Sequence, residues 1–310
     1  MTGDGVTGLR RYRSVVSDSA RWAGFRFRDA DIVISTPPKS GTTWMQTLCA
    51  MLLFDSVEFD RPLTEISPWL DMQANRLDPV LATLDAQEHR RFIKTHTPLD
   101  GLPFDTRVTY LCVGRDPRDA AVSCEHHRAN LDVDAFLAAR AQAVGLDDLD
   151  ELGPSPAPPP ADPKERFWQW AYGDTSAMGP SLRDILHHLQ TFWSRRGEPN
   201  VALFHYSDLL ADLPGELRRL ADVLAIELTN ARASEVAAGA TFHRMKQRAY
   251  DLVPEVGNRI RRDTREFFHR GCSGQWPELL DAEGVRRYYD RVAELVPPDL
   301  AAWAHGGWRG

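Results

Sequence analysis

The sequence predicts an α/β fold in which a parallel sheet is flanked by helices. Four short segments rich in apolar and β-branched residues are spread along the chain, and helical patterns alternate with them. Strands that are apolar throughout and alternate with helices are typical of a parallel sheet covered on both faces. Length alone suggests about two domains, but α/β enzymes often exceed ~150 residues as one folding unit, so we expect a single domain over residues 1–310.

The first strand is expected at residues 31–36, a β-branched run that ends at Pro37 and Pro38. A helical stretch at residues 42–54 follows these two prolines. Residues 91–94 are a second, weaker candidate for a strand.

The third strand, at residues 107–114, has a stronger pattern. Asp116 precedes Pro117, which is typical of an N-cap followed by proline in the first helical position. We therefore expect the next helix to run to about Asn130.

The fourth strand is expected at residues 201–206. The segment after it carries the i, i+3, i+4, i+7 spacing of a helix with one buried face. The apolar residues at this spacing are Leu217, Leu220, Ala221 and Leu224.

Composition excludes several functional classes. The chain has 37 Lys+Arg against 44 Asp+Glu, a net charge of −7, which argues against a general nucleic-acid binder. The longest apolar run, residues 48–54, is far shorter than the ~20 residues that span a bilayer. The first thirty residues lack a secretory core, and the four cysteines form no CxxC pair. We expect a cytoplasmic protein with no transmembrane segment.

Residues 145–163 are acidic and then rich in proline. Such a segment has too little apolar content to fold alone. Two interpretations stay open: a solvated linker, and a mobile flap over a substrate cleft.

The strongest chemical signal is residues 36–44, between the first strand and its helix. A loop of small residues exposes backbone N–H groups at a helix N-terminus, which suits a phosphate. Lys39 adds a positive charge, and three residues add hydroxyl donors. Lys39 precedes Gly41, so this is not a Walker A loop, and the usual Mg²⁺ arrangement is absent. The alternative to a phosphate-binding loop is a plain turn between the strand and the helix. The three hydroxyl donors are Ser40, Thr42 and Thr43.

A second signal is residues 113–123. Arg115 is expected at the carboxyl end of a strand, where ligands bind in open α/β sheets, and Ser123 lies on the next helix. Together they can hold a second phosphate through the guanidinium fork. We interpret the neighbouring Asp116, Arg118 and Asp119 as solvated charges at a helix end.

Residues 241–271 contain eight Lys/Arg against four Asp/Glu, a local excess of positive charge. They form either a solvated basic loop or a lid that closes on an anionic nucleotide. The adjacent pairs His126–His127 and His187–His188 are badly spaced for metal ligation. We interpret both pairs as surface or packing residues and expect no metal.

Segments 36–44 and 113–123 resemble the two phosphate-binding signatures of sulfotransferases that use 3′-phosphoadenosine 5′-phosphosulfate (PAPS). The chain is further similar to mycobacterial glycolipid sulfotransferases through residues 67–71, 90–98 and 201–206. The resemblance extends from about Tyr12 to Trp303. It is weakest over residues 130–183, which we expect to be an irregular insert or a flap over the acceptor site.

The resemblance implies a P-loop-like sulfotransferase fold with PAPS as co-substrate and no metal. It places the 5′-phosphosulfate on the first loop, from Lys39 to Trp44, and the 3′-phosphate on the second. His96 matches the catalytic histidine, and a neutral imidazole suits a base near pH 7. Lys39 then stabilises the leaving oxygen, and Lys94 neutralises the sulfonate. Ser123 contacts the 3′-phosphate and restrains Lys39.

The resemblance also assigns adenine contacts. Trp44 and Phe242 match a stacking pair, and Tyr206 matches an adenine-contacting tyrosine. Thr241 and Met245 are nucleotide-binding residues by the same resemblance, although Ala240–Thr241 stands where Thr-Ser is common.

A closing segment of the family resembles residues 267–276, from which His269, Arg270 and Gly271 are expected to contact the nucleotide. The family usually has Arg-Lys-Gly and Gly-Asp-Trp there. His269 makes its contact dependent on protonation, and Gln275 also departs from the pattern.

The sequence therefore predicts sulfonate transfer from PAPS to an acceptor hydroxyl, with a glycolipid favoured and a small phenol as the alternative. A nucleotide-dependent phosphotransferase would need Mg²⁺ and a carboxylate to hold it. A nucleotide- or lipid-binding protein without activity is the third reading. Contact with membrane lipid and the oligomeric state stay open. Four aromatic residues have two open interpretations, as lining of an acceptor pocket or as core residues: Trp69, Phe92, Trp168 and Trp170.

Overall fold

A computed structural model describes residues 8–152, 158–173, 179–253 and 260–309. Four parallel strands form one sheet in the order β2-β1-β3-β4. The strands are β1 (Ile32–Ser35), β2 (Phe92–Thr95), β3 (Thr109–Gly114) and β4 (Val201–His205). All four strands predicted from the sequence are confirmed, and so is the parallel α/β architecture.

Helices connect the strands and cover both faces of the sheet. In chain order they are α1 (Thr42–Leu53), α2 (Leu63–Ile66), α3 (Leu77–Ala86), α4 (Pro117–Ala129), α5 (Val133–Val144), α6 (Pro163–Tyr172), α7 (Leu182–Trp193), α8 (Tyr206–Ala211), α9 (Leu213–Val223), α10 (Asn230–Gly239), α11 (Phe242–Gln247), α12 (Ala249–Leu252), α13 (Ala282–Leu295) and α14 (Pro298–Gly306). Short 3₁₀ turns lie at Ser19–Gly24, Leu99–Gly101, Asp150–Leu152 and Arg265–Phe267.

Alternate strand residues enter two separate cores. Ile32 and Ile34 pack with α1, α9 and α10 on one face of the sheet. Val33 and Tyr110 pack with α7, α13 and α14 on the other face. Side chains of a strand point alternately to opposite faces, so strands buried on both sides read as continuous apolar runs. This burial is why the sequence pattern located them.

The strand order creates a switch point between β1 and β3. β1 pairs with β2 on one side, and β3 pairs with β4 on the other. The connections that leave β1 and β3 therefore diverge, and open α/β sheets bind ligands in the crevice that this divergence creates. The two predicted phosphate segments follow these two strands.

The predicted helix starts are confirmed. Gly41 caps α1 with φ +100° and provides no side-chain cap, so the first N–H groups of α1 are left for a ligand. The Asp116 side chain accepts a hydrogen bond from the Arg118 backbone, and Pro117 occupies the first turn of α4.

Residues 130–183 are more regular than the sequence interpretation expects, because they contain α5, α6 and the start of α7. Asp132 and Asp162 cap α5 and α6 through their side chains, so local start signals existed for both helices. Part of the proline-rich stretch, residues 153–157, lies outside the described residues.

Within the described ranges, no helix is both long and apolar enough to cross a membrane. The four cysteines are free.

Candidate active site

A cavity of about 940 Å³ opens at the carboxyl end of the sheet. It collects all the site residues predicted from the sequence except Ser40, which is fully buried behind it. A cavity of this volume lies at the upper end of the range of ~300–1,000 Å³ typical of ligand pockets. The structure thus brings these residues together.

The loop between β1 and α1 bends tightly around the cavity. Lys39 and Gly41 have φ values of +66° and +100°. A Cβ on Gly41 would lie 3.1 Å from the Tyr206 ring, so glycine allows the loop backbone and that ring to approach closely. The Ser40 hydroxyl is buried without a partner among the described residues, which leaves a donor available at the cradle.

Two lysine side chains rest on aromatic faces at the base of the cavity. The Lys39 Nζ lies 4.1 Å from the centre of the Phe267 ring, and the Lys94 Nζ lies 4.1 Å from that of Trp69. Burial lowers the pKa of Lys39 to about 8 and that of Lys94 to about 7. The positive charge of the nearby Arg261 guanidinium contributes to both of these shifts. An anion between these groups would restore their full charge.

The His96 ring is fixed in one tautomer. Its Nδ1 lies 2.7 Å from the carbonyl oxygen of Thr36, and a carbonyl only accepts, so Nδ1 carries the proton and the Nε2 of the neutral ring carries the lone pair. Burial, followed by the charge of Lys94, holds the pKa of His96 well below its usual value of 6.5. His96 is therefore neutral near pH 7.

Arg115, which follows β3, bonds both to the loop between β1 and α1 and to the closing segment. Its Nη1 donates to the Lys39 carbonyl at 2.9 Å, and its Nη2 donates to the Cys272 carbonyl at 3.0 Å. The guanidinium lies 4.4 Å from the centre of the Tyr206 ring. Its Nε is buried without a partner among the described residues, so one donor of the fork is available to a ligand.

The predicted adenine-contacting residues line the cavity, and the part that they line is named the nucleotide end after this prediction. The Trp44 and Tyr206 rings meet edge to face at 5.4 Å. Phe242 lies across the closing segment, and a Cβ on Gly271 would lie 2.1 Å from the Phe242 ring. The Thr241 hydroxyl caps α11. Ser123 and Met245 line the same end.

His269 forms an unforeseen stack. Its ring lies 3.9 Å from that of His126, with an angle of 9° between the rings. His126 Nε2 lies 3.0 Å from the Glu266 carbonyl, and burial lowers the pKa of His269. Its neighbour Arg270 is exposed. The interpretation of His126 as a packing residue holds, but its partner is the closing segment.

The interpretation of Asp116, Arg118 and Asp119 as solvated charges is wrong. All three are buried, with exposed fractions of 6%, 4% and 0%. Asp119 accepts hydrogen bonds from the Gly274 and Gln275 backbone N–H groups at 2.8 and 2.7 Å. The start of α4 therefore anchors the closing segment, a contact between residues more than 150 positions apart.

The sequence did not predict much of the remaining cavity wall, which is named the acceptor end after its expected role. The N-terminal segment contributes Tyr12 and Val16 to the cavity wall, and no local pattern marked that segment. Of the four aromatic candidates, Trp69 and Trp170 line the cavity. Phe92 is a core residue of the sheet, and Trp168 packs against Arg287 instead.

Comparison with known proteins identifies the class. The family model that describes the sulfotransferase domain matches residues 29–297 of this chain. Glycolipid sulfotransferases of Mycobacterium bovis (strain BCG / Pasteur 1173P2) and Mycobacterium tuberculosis (strain ATCC 25177 / H37Ra) are each 46% identical over 96% of this chain and 95% of their own length. The chain belongs to the sulfotransferase family.

Solved structures show the same fold. A retinol dehydratase in a complex with retinol and PAP aligns with a TM-score of 0.67 and 20% identity, covering 90% of this chain and 85% of its own. A mouse sulfotransferase complexed with PAP aligns with a TM-score of 0.67 and 18% identity, covering 95% and 99%. Within the described residues, no cluster of three or more His, Cys, Asp or Glu side chains is arranged to hold a metal.

Proposed function

We propose that this sulfotransferase moves a sulfonate group from PAPS to a hydroxyl group of a glycolipid. One observation carries the proposal: His96, with Nε2 as its lone-pair nitrogen, lines the same cavity as Lys39 and Lys94 at the carboxyl end of the sheet. The name of the 46% identical mycobacterial relatives supports the acceptor class.

The nucleotide end suits an adenosine that carries two anionic groups. Three buried polar atoms there lack partners among the described residues: Ser40 Oγ, Trp44 Nε1 and Arg115 Nε. Buried polar groups are ordinarily hydrogen-bonded, so these atoms are consistent with a ligand that supplies acceptors. The uncapped start of α1 adds backbone donors.

The proposed reaction is a single displacement at sulfur. The acceptor oxygen forms a bond to sulfur, the bond from sulfur to the phosphate oxygen breaks, and His96 Nε2 takes the hydroxyl proton. Lys39 stabilises the negative charge on the leaving oxygen, and Lys94 stabilises the charge on the transferring sulfonate. The products are adenosine 3′,5′-bisphosphate (PAP) and a sulfate ester. We propose no metal in this step.

The acceptor end suits an amphipathic molecule. The cavity wall carries the polar side chains of Tyr12 and His187, whose hydroxyl oxygen and Nε2 lie 2.7 Å apart. A small apolar cluster that includes Met72, Phe136 and Ile260 also lines the cavity. A sugar hydroxyl beside the base and an acyl chain against the apolar wall would use both surfaces, whereas a small phenol would use one.

The test is transfer of ³⁵S from labelled PAPS to a glycosylated lipid, with a simple phenol as the competing acceptor and EDTA present throughout. We expect sulfated glycolipid, little sulfated phenol, and no loss of rate with EDTA. Preference for the phenol would support the alternative aryl sulfotransferase, and loss of rate with EDTA would contradict the metal-free step. Absence of transfer to both acceptors would overturn the proposal. A cytoplasmic location stays a prediction from the sequence.

A further inference from the structure

We propose that Asp71 is a positioning residue that fixes Lys94 and His96 relative to each other for sulfonate transfer. This inference rests on the proposed function. Asp71 lies outside the cavity lining and is fully buried, so it acts through its neighbours.

Four side-chain donors converge on the Asp71 carboxylate. Its Oδ1 accepts from Trp69 Nε1 at 2.6 Å, and its Oδ2 accepts from the Thr95 and Thr97 hydroxyls at 2.6 Å each. Trp22 Nε1 donates to the same Oδ2 at 3.2 Å. A carboxylate offers about four lone-pair sites, so this one is saturated by neutral groups.

Two of these bonds act on the backbone around the base. Thr95 and Thr97 are the residues on either side of His96, and both are tied to one carboxylate. Thr97 N also donates to the Thr95 hydroxyl at 2.9 Å. The His96 ring is fixed directly by the bond from Nδ1 to the Thr36 carbonyl. Its backbone is fixed by the bonds of the two neighbouring threonines to Asp71.

A third bond acts through an indole ring. Trp69 presents its face to the Lys94 Nζ at 4.1 Å and meets the His96 ring at 4.8 Å with an angle of 89°. The bond from Trp69 Nε1 to Asp71 fixes the orientation of the indole. One carboxylate therefore sets the surface against which both catalytic side chains rest, and misplacement by ~1 Å can cost ~10²-fold in rate.

The charge of Asp71 adds an effect that packing alone would not give. Its negative charge raises the pKa of Lys94, which burial and the positive charges of Arg261 and Lys39 lower. His96 and His127 also face this ammonium. Removal of the carboxylate charge should therefore move loss of the Lys94 proton, and the alkaline limb of activity, to lower pH.

The test compares variants that each remove one bond with matched controls. Thr97→Val and Trp69→Phe remove one donor to Asp71, while Thr83→Val and Trp193→Phe remove side-chain hydrogen bonds away from the cavity. We expect kcat to fall by about 10- to 100-fold in the first pair, with the Kd for PAP within about twofold. We expect the controls to keep the wild-type kcat. Asp71→Asn should in addition shift the alkaline limb of kcat/KM to lower pH.

A second measurement separates this inference from the proposed function. The ¹⁵N signals of the His96 ring report its tautomer and orientation without turnover, and we expect them to change in Thr97→Val and Asp71→Asn. Unchanged signals together with unchanged kcat would overturn the positioning role. Losses of kcat equal to those of the controls, or equal to the loss of folded protein, would also overturn it. An inactive wild type would refute the proposed function, and the ring signals would still decide the role of Asp71.

Discussion

The Arg115 guanidinium donates to the Lys39 carbonyl across the switch point of the sheet, at 2.9 Å. The same side chain reaches the Cys272 carbonyl in the closing segment. Three parts of the nucleotide end are therefore joined by one residue before any ligand contributes. A change at Arg115 should affect the geometry of the cradle as well as its charge.

Replacement of Arg115 tests this linkage. We expect Arg115→Ala to weaken PAP binding by roughly 1.5–3 kcal/mol, the usual range for a hydrogen bond to a charged group. Arg115→Lys should recover only part of this, because an ammonium lacks the planar fork. Arg219→Ala is the control, since Arg219 also lies over an aromatic ring and donates to a carbonyl, but outside the cavity. Calorimetric titration that gives equal affinities for all four proteins would refute the role.

Replacement of the base should separate chemistry from binding. We expect His96→Ala to lower turnover by ~10²–10⁴, as for loss of a general base, while the Kd for PAP changes little. His89→Ala provides the control, because His89 is half-buried away from the cavity. Calorimetry in which His96→Ala fails to bind PAP would instead assign the ring to nucleotide binding.

Nucleotide binding should take up protons. The pKa values of about 8 for Lys39 and about 7 for Lys94 mean that both ammonium groups are partly deprotonated between pH 7 and 8. An incoming phosphate raises both pKa values, so binding draws protons from the buffer. Titrations at pH 7.5 in buffers of different ionisation enthalpy should show this uptake. It should shrink in Lys39→Met and at pH 6, where both groups are already charged. Heats that do not depend on the buffer would contradict the lowered pKa values.

Lys94 should reduce stability in a pH-dependent way. Its pKa is about 7 in the folded protein and ~10.4 in an unfolded chain, so between these values the unfolded state binds more protons and stability rises with pH. The destabilisation reaches its full size below about pH 7, where Lys94 is charged in both the folded and the unfolded state. We expect Lys94→Met to raise the free energy of unfolding at pH 6, to raise it much less at pH 10, and to lower activity at both.

Urea unfolding at the two pH values gives this comparison, with Lys164→Met on the exposed start of α6 as control. A stabilisation of the same size at both pH values would point to packing of the new methionine rather than to the buried charge.

The protein should tolerate a methyl group at Gly145 but not at Gly271 in the closing segment. Gly271 has φ +64°, and an added Cβ would overlap the Phe242 ring at 2.1 Å. Gly271→Ala should therefore displace Phe242 and weaken PAP binding by about tenfold, which corresponds to about 1.4 kcal/mol. Gly145→Ala has a similar φ of +84° but its nearest neighbour lies 3.8 Å away, so it shares the backbone strain without the clash. Equal PAP affinity in the two variants would contradict the contact.

The sheet and the loops that follow β1 and β3 could be predicted because each leaves a local signal. Buried parallel strands read as apolar runs, and the loop from Thr36 to Trp44 combines lysine, hydroxyls and glycine at a strand end. Contacts between distant segments leave no such signal, as with Asp119 and the backbone of Gln275. The same holds for Tyr12, which meets His187 across the chain. The helices α5 and α6 had usable caps, but the proline-rich stretch between them dominated the interpretation.

The pairing of β1 with β3 has a wider consequence. Neighbouring strands lie ~4.8 Å apart because of their backbone hydrogen bonds. The sheet therefore sets the distance between the loop that follows β1 and the loop that follows β3. Side chains determine the contacts with a ligand, but the backbone pairing of the strands determines the distance between the two loops. Substitutions in the N-terminal segment or in α5 should therefore change acceptor preference without changing this distance.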